Sequence, residues 1–168
     1  AHNWPPSVRS LLRERYHVCR AAGWPYAARL TQLPGGAGAQ VDLSLLFLER
    51  SLRLLAPQGT LAMLLPAKLF RSLYAGGARE LLLQHAALAQ VEDQSLDHRA
   101  VFEADAFTAL VVAHRDDAET AASAQPSQAT VAVTLTRSRG AALHFDVPAA
   151  DLPLRRGDPR SPWLLAPP

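Results

Sequence analysis

The sequence has few of the residues that mark secreted, membrane or metal-dependent proteins. Cys19 is its single cysteine, which excludes an internal disulfide and fits a reducing compartment, so we expect a cytoplasmic location. No apolar run reaches the about 18 residues that a membrane-spanning helix needs. The histidines are scattered without metal-ligand spacing, and no GxSxG elbow of a hydrolase is present. A metal site, a membrane span and a serine hydrolase are therefore not expected.

The chain does contain enough apolar residues for a core, because 49% of its 168 residues are hydrophobic. Its formal charge of +2 permits a nucleic-acid partner without arguing for one. The chain opens in polar, proline-rich sequence without a methionine, and it ends in an apolar tail, Trp163–Pro168, with nothing evident to pack on. We expect a piece of a longer protein.

Residues 41–56 predict an amphipathic helix. Asp42 is placed to cap its first turn by accepting a backbone N–H. Apolar side chains then recur at helical spacing, at Leu45, Leu48, Leu52 and Leu55. Charged side chains fall on the other side, which we expect to face solvent, at Glu49, Arg50 and Arg53.

A turn and a strand follow this helix. Ala56-Pro57-Gln58-Gly59 has the residues of a type I turn, with Pro second and Gly fourth. Residues 61–65, LAMLL, are apolar on both faces, which predicts a central parallel strand covered on both sides. One helix crossing to such a strand indicates an α/β sheet, in which ligands bind beyond the carboxyl ends of the strands. We therefore expect the chemistry near residues 66–68.

The rest of the chain alternates between helix and strand signals. Residues 68–85 predict a second helical region that is interrupted at Tyr74-Ala75-Gly76-Gly77, because two adjacent glycines cost about 2 kcal/mol against alanine in a helix interior. Residues 88–92 predict a short strand, and residues 93–100 predict a polar loop.

Two further strands are predicted at residues 108–114 and 130–136, paired antiparallel to each other. Phe107, which lies next to the first of them, is expected in the core. From residue 137 the composition shifts toward basic residues, Gly and Pro, which predicts a domain boundary there. The fold class is therefore α/β, with a mixed sheet that has an antiparallel strand pair near its end.

The order of these parts resembles the N6-adenine DNA methyltransferases, most closely the large restriction-modification type in which a methyltransferase domain precedes a target-recognition domain. The resemblance covers residues 41–114 and rests on the segments DLSLLFLERSLRLLAPQGTLAMLLPAKLFRS, ARELLLQH and VFEADAFTALVV. It implies a partial Rossmann-like fold that uses S-adenosylmethionine. Residues 1–136 would be the carboxyl-terminal part of the catalytic domain, and residues 137–168 the start of a target-recognition domain or a linker.

The resemblance also implies an activity and site residues. The activity is methyl transfer from S-adenosylmethionine to adenine N6 in double-stranded DNA, with the target base flipped out of the duplex. Phe102 matches the aromatic that stacks on the flipped base, with a hydrophobic plug as the alternative. Phe107 is the alternate candidate for the stacking role. Lys68, Arg71 and Ser72 follow the carboxyl end of the strand at 61–65, where they either touch the DNA backbone or form a solvated helix start. No residue matches the glycine-rich loop that holds the cofactor.

The catalytic motif of the resembled family, Asn-Pro-Pro-aromatic, has only an imperfect counterpart. Asn3-Trp4-Pro5-Pro6 has a tryptophan interposed. One interpretation is a look-alike, with the true motif upstream of Ala1. The other is a degenerate motif in which Asn3, Pro5 and Pro6 are the catalytic residues.

Two other classes of function stay open. The chain could come from a methyltransferase that acts on RNA or on protein glutamine, which shares the Asn-Pro-Pro chemistry. It could also be a non-catalytic remnant that only packs or binds DNA.

Overall fold

A computed structural model describes residues 4–21, 23–26, 42–96, 107–115, 129–138 and 141–167. These residues form a five-stranded sheet of order β1-β3-β2-β4-β5. The strands are β1 (Thr60–Pro66), β2 (Ala87–Leu96), β3 (Thr108–His114), β4 (Thr130–Arg137) and β5 (Leu143–Pro148). The β2–β4 pair is parallel and the other neighbours are antiparallel. The predicted α/β class with a mixed sheet is confirmed, and the arrangement is consistent with a partial Rossmann-like fold.

Helices pack on one face of this sheet. They are α1 (Pro6–Arg15), α2 (His17–Arg20), α3 (Leu43–Leu54), α4 (Lys68–Arg71) and α5 (Gly76–Gln84), with 3₁₀ turns at Leu73–Ala75 and Ala149–Asp151. Val91, Val111 and Val133 form one row across the three inner strands, and all three are buried against the helices. The core therefore lies between the helical layer and this face of the sheet.

Helix α3 begins as predicted. The Asp42 carboxylate accepts the Ser44 N–H at 3.1 Å, and Leu45, Leu48 and Leu52 are buried. The side chain of Glu49, in contrast, does not face solvent and is only 1% exposed.

The Glu49 carboxylate caps the neighbouring helix α2. It accepts the backbone N–H groups of His17 at 2.8 Å and of Val18 at 2.9 Å, and it also pairs with Arg53. These N–H groups open α2 and have no partner within the helix, so a buried carboxylate there satisfies both. The sequence pattern of α3 alone does not reveal a partner 31 residues away.

The turn between α3 and β1 is not of type I. The Gly59 N–H donates to the Ala56 carbonyl at 2.9 Å, as in a β-turn, but Gln58 has a φ of 58°. A positive φ at the third position is the feature of a type II turn. Pro57 at the second position suits both types, so the residues alone did not separate them.

The strand at 61–65 is present, but it does not lie where we expected. Among the described residues β1 is the edge of the sheet, and it pairs only with β3, antiparallel. Leu65 is buried, whereas Leu64 on the opposite face is 49% exposed. An apolar pattern on both faces predicted cover on both sides, and the described part of the chain supplies it on one.

Two other strand predictions need correction. β3 and β4 are not paired with each other, because β2 lies between them; the antiparallel pair near the end of the sheet is β4 with β5. Strand β2 continues to Leu96, so the first residues of the predicted polar loop belong to the sheet. Non-local pairing decides both points, and local periodicity carries no information about it.

The predicted break of this helical region is present but lies slightly earlier, at residues 72–75, so that the adjacent glycines start the next helix. Helix α5 begins at Gly76. A Cβ on Gly76 would lie 2.3 Å from the Gly23 carbonyl oxygen, and one on Gly77 would lie 3.0 Å from the Ala21 carbonyl oxygen. The glycines therefore let the chain after α2 pack directly on α5.

The carboxyl-terminal residues pack on this same unit, contrary to the expectation of an unpacked tail. Trp163 is 3% exposed, and its ring stacks on the Phe70 ring at 5.4 Å between centroids. Strands β4 and β5, which lie on either side of residue 137, are hydrogen-bonded neighbours. The domain boundary near residue 137 stays a prediction.

Candidate functional site at the carboxyl end of β1

One end of the sheet brings together the segments that the sequence singled out. Pro66, the last residue of β1, pairs with Thr108 at the start of β3, and Ala109 pairs with Asp93 near the end of β2. Helix α4 follows β1 after one residue, Ala67, whose N–H donates to the Phe107 carbonyl at 2.9 Å. We call this end of the sheet, with α4, the rim.

Helix α4 is anchored by its apolar residues, and its basic residues remain accessible. Leu69 and Phe70 are fully buried in the core. The side chains of Lys68 and Arg71 are 55% and 51% exposed. The two buried residues in the middle of KLFR thus anchor the helix, and the exposed residues at its ends place two cations at the rim.

Lys68 is paired with the helix-capping carboxylate of Asp42. The ammonium Nζ lies 2.8 Å from Asp42 Oδ2 and 5.8 Å from the centre of the Tyr74 ring. The hydrogen bond that Lys68 donates to Asp42 raises the pKa of Lys68 above its usual value and outweighs the opposing effect of burial. Burial alone would raise the pKa of Asp42, but the hydrogen bonds from Lys68 and Ser44 outweigh it, so this pKa is lowered.

Arg71 is paired with Asp93, the carboxylate that β2 brings to the rim. The Asp93 side chain is only 1% exposed, and it also accepts the Ser95 N–H at 2.9 Å. Arg71 Nη1 lies 3.3 Å from the Ser95 hydroxyl. Because a buried carboxylate is costly without a partner, Asp93 fixes one side of the guanidinium, while the rest of it stays exposed.

The hydroxyl of Ser72, the third predicted contact on this segment, points inward. Its Oγ is buried, with no hydrogen-bond partner within the described part of the chain. The part that the sequence assigned to Ser72 stays a prediction.

The other predicted site residues lie outside the described ranges or at α1. Asn3 and Phe102 are not among the described residues. Pro5 occupies the N-cap position of α1 and Pro6 its first turn, both exposed, which is where proline is tolerated in a helix. Their assignment as catalytic residues stays a prediction.

Phe107 is 51% exposed at the rim, so its expected place in the core is wrong. It precedes β3, and its carbonyl accepts from Ala67, which holds the residue at the strand end. Phe107 was also the alternate candidate for the aromatic that stacks on a flipped base, and that role stays a prediction.

A polar network beside the rim was also missed. Thr108 Oγ1 donates to Gln94 Oε1 at 2.5 Å, and Gln94 Nε2 donates to Glu92 Oε1 at 2.9 Å. Thr136 on β4 donates to the same Glu92 oxygen at 3.1 Å. The signal was present in the alternation of Gln90, Glu92 and Gln94, which marks one face of an extended strand.

The rim can bind an anionic ligand, because two cationic side chains are accessible there. Lys68 and Arg71 can each exchange part of their carboxylate pairing for phosphate oxygens. Within the described ranges no group of three or more His, Cys, Asp or Glu could hold a metal ion. Of the helices described, none is long and apolar enough to cross a membrane.

Residues 28–102 match the family model of the Eco57I restriction-modification methylase. The match includes α3, β1, α4, α5 and β2, which build most of the rim, and it overlaps the resemblance seen in the sequence. The resemblance to a restriction-modification methyltransferase fragment is therefore confirmed for this part of the chain. A search of curated proteins found no match.

Proposed function

We propose, from the restriction-modification methylase match over residues 28–102, that this chain is part of an adenine-N6 DNA methyltransferase. The substrate is double-stranded DNA, the methyl donor is S-adenosylmethionine, and the target adenine is flipped out of the duplex. The observation that carries the proposal is the position of the matched segment, which ends its first strand in a rim with two half-exposed cations.

Lys68 and Arg71 contact the DNA backbone in this proposal. A duplex bound for methylation has to be held while one base leaves the stack, and phosphate contacts fix its register. A guanidinium and an ammonium on one short helix suit this task, because each can donate to phosphate oxygens from its exposed side. Ser72 contributes only if its buried hydroxyl turns outward.

Phe102 and residues 3–6 act on the flipped base. Stacking on an aromatic ring recovers about 1–3 kcal/mol of the cost of unstacking the adenine. The amine of adenine is a poor nucleophile, so hydrogen bonds accepted by the Asn3 side-chain oxygen and by a Pro5 or Pro6 carbonyl would orient it and favour the developing charge. If residues 3–6 are only a look-alike, these groups come from elsewhere in the protein.

We infer that the described residues alone do not hold S-adenosylmethionine. Asp42 and Asp93, the carboxylates at the rim, are both engaged by cations, and the Ala67 N–H is already bonded to the Phe107 carbonyl. In this proposal the cofactor pocket uses residues outside the described ranges or outside this chain.

The remainder of a longer chain is the partner that completes the domain. It would supply the cofactor loop and a strand along the open edge of β1. Residues 137–168 lead into a target-recognition domain or a linker. A cytoplasmic location follows from an enzyme that methylates cellular DNA.

The proposal is tested by methyl transfer with the intact gene product. The protein is incubated with duplex DNA and S-adenosylmethionine, and the DNA is digested to nucleosides for mass spectrometry. N6-methyladenine in DNA, lost in Asn3→Ala and Phe102→Ala, supports the proposal. Methylation of RNA or of protein glutamine instead of DNA contradicts the proposed substrate, and no methylation of any of them supports a non-catalytic remnant.

A further inference from the structure

Arg79 on α5 is the most unusual charged residue of the described fold. Its side chain is fully buried, yet no carboxylate lies within ion-pair distance in the described part of the chain. Burial lowers the pKa of Arg79 to about 10, against the opposing charge of Asp158. A buried cation without a direct counter-ion is costly, so an apolar side chain would serve packing alone better.

The guanidinium instead binds three main-chain carbonyls from two separate segments. Nη1 donates to the carbonyls of Leu69 and Ser72, each at 2.8 Å, and Nη2 donates to the Arg160 carbonyl at 2.6 Å. The first two carbonyls lie in and just after α4, where a helix leaves carbonyls without internal partners. The third belongs to the carboxyl-terminal segment.

The same two segments meet again next to Arg79. The Trp163 N–H donates to the Phe70 carbonyl at 2.8 Å, and the two rings stack with an interplanar angle of 15°. Arg160 Nε also lies 2.9 Å from Glu80, the residue after Arg79 on α5. Helix α4 is therefore bonded both to α5, through Arg79, and to residues 160–163, through the Phe70–Trp163 contact.

We propose that Arg79 is a positioning residue for the rim: its guanidinium clamps α4 to α5 and to residues 160–163, and so sets where Lys68 and Arg71 project. The inference rests on the proposed function for its DNA contact, although the clamp itself does not. Four residues cannot hold a helical turn by their own hydrogen bonds, since isolated short helices are unstable in water. The orientation of Lys68 and Arg71 thus depends on the hydrogen bonds that Arg79 donates to the carbonyls of α4 and Ser72.

Through this clamp, residues 160–163 influence the site although the proposal does not require them to contact DNA. Arg79 cannot touch phosphate because it is buried, so any effect of Arg79 on DNA affinity must pass through α4. A double-mutant cycle with Arg71 separates this route from a direct one, because residues that act through one another are not additive.

The test uses fluorescence anisotropy with a short labelled DNA duplex, over a series of salt concentrations, and hydrogen exchange of the α4 amides. The variants are Arg79→Lys, which keeps the charge but not the forked donors, Trp163→Leu, and Arg71→Gln with Asp93→Asn, which leaves no buried unpaired carboxylate. Arg156→Lys is the matched control, since Arg156 is an exposed residue paired with Asp151.

We expect Arg79→Lys and Trp163→Leu to speed exchange at Phe70 and Ser72. They should also reduce the salt slope of DNA binding by about one to two, because both Lys68 and Arg71 lose their position, whereas the Arg71 variant reduces it by about one. Combining Arg79→Lys with the Arg71 variant should lower the slope no further than Arg79→Lys does alone. Unchanged α4 exchange in a folded Arg79→Lys protein overturns the proposal, and so does an additive loss in the combined variant. If Arg79→Lys unfolds, Trp163→Leu decides by the same two readouts.

A failure of the proposed function gives a different result. If the wild-type chain shows no salt-dependent DNA binding, the phosphate contact of Lys68 and Arg71 is refuted. The exchange of the α4 amides then still decides whether Arg79 clamps the helix.

Discussion

The ammonium of Lys68 lies 2.8 Å from the Asp42 carboxylate that caps helix α3. One carboxylate therefore holds the start of the helix before β1 and the cation that follows β1. The rim is thus connected to helix α3, which the sequence predicts most clearly. The two roles of Asp42, as helix cap and as partner of Lys68, can be separated by substitution.

Asp42→Asn should keep the cap and lose the ion pair, whereas Asp42→Ala should lose both. We expect Asp42→Ala to lower the free energy of unfolding by about 1 kcal/mol, and Asp42→Asn to lower it by a few tenths, since exposed ion pairs contribute about 0.2–1 kcal/mol. Urea denaturation at neutral pH measures both. Equal losses in the two variants would show that the ion pair and not the cap is the stabilising contact.

The same pair predicts a pH dependence with a defined sign. The folded pKa of Asp42 is lowered, so its contribution is present above the ordinary value of 3.8 and is lost as the pH falls through the folded pKa. The folded pKa of Lys68 is raised, so its contribution is complete below 10.5 and is lost as the pH rises through the folded pKa. The difference in stability between wild type and Asp42→Asn should therefore shrink at both extremes.

Gly76→Ala should be strongly destabilising. The added methyl group would meet the Gly23 carbonyl oxygen at 2.3 Å, a contact between two backbones that cannot swing aside. We expect a loss of roughly 1–3 kcal/mol in thermal or urea unfolding, as for other overpacked sites.

Gly157→Ala is the comparison for Gly76→Ala. Gly157 has a φ of 80° with nothing within 4 Å of an added Cβ, so it isolates the cost of the backbone conformation. That cost is about 1–2 kcal/mol. A Gly76→Ala protein as stable as wild type would contradict the close packing of α5 on the chain after α2.

Among the described residues no strand pairs with the outer side of β1, and this edge predicts self-association of the isolated chain. In an antiparallel pair alternate residues turn their main-chain groups away from the partner. Ala67 and Gly59 bond to the β3 side, so Ala62 and Leu64 present theirs outward. An uncharged edge with free main-chain groups recruits further strands. Light scattering should show association that rises with concentration.

Leu64→Lys should reduce that association, because an edge lysine opposes strand addition. His144→Lys, on the other edge strand, is the matched control and should leave it unchanged. Association that is equal in wild type and both variants would refute the open edge of β1 as its cause.

The isolated chain should not bind S-adenosylmethionine with micromolar affinity. It has no match to the glycine-rich loop, and the rim carboxylates are engaged by Lys68 and Arg71. Titration calorimetry of the chain with S-adenosylmethionine checks this, with the intact gene product as the positive control. A micromolar dissociation constant for the chain alone would contradict it.

The sequence predicted local features well where one element determines them. The cap at Asp42, the buried leucines of α3 and the strands at 60–66 and 108–114 follow from residue type and spacing. The position of β1 at the sheet edge did not follow, because pairing depends on strands distant in sequence.

The largest errors concern groups whose partners lie far along the chain. From the sequence, Glu49 was expected to face solvent, but its carboxylate accepts N–H groups of α2. Trp163 was expected to be unpacked, but its ring stacks on Phe70. Arg79 lies among apolar residues of α5, and nothing in that pattern predicts three carbonyl partners. The accessible position of Lys68 and Arg71 was predictable because they follow a strand end, whereas Phe107 was expected in the core and is half exposed.

The salt dependence of DNA binding tests most directly whether the rim meets the DNA backbone. The slope of log affinity against log salt is measured for the wild type and for Lys68→Gln combined with Arg71→Gln and Asp93→Asn. Arg155→Gln with Arg156→Gln, which removes two cations from the carboxyl-terminal segment, is the control. We predict that the rim variant lowers the slope by about two and that the control leaves it unchanged. Equal slopes for the wild type and the rim variant would contradict the account.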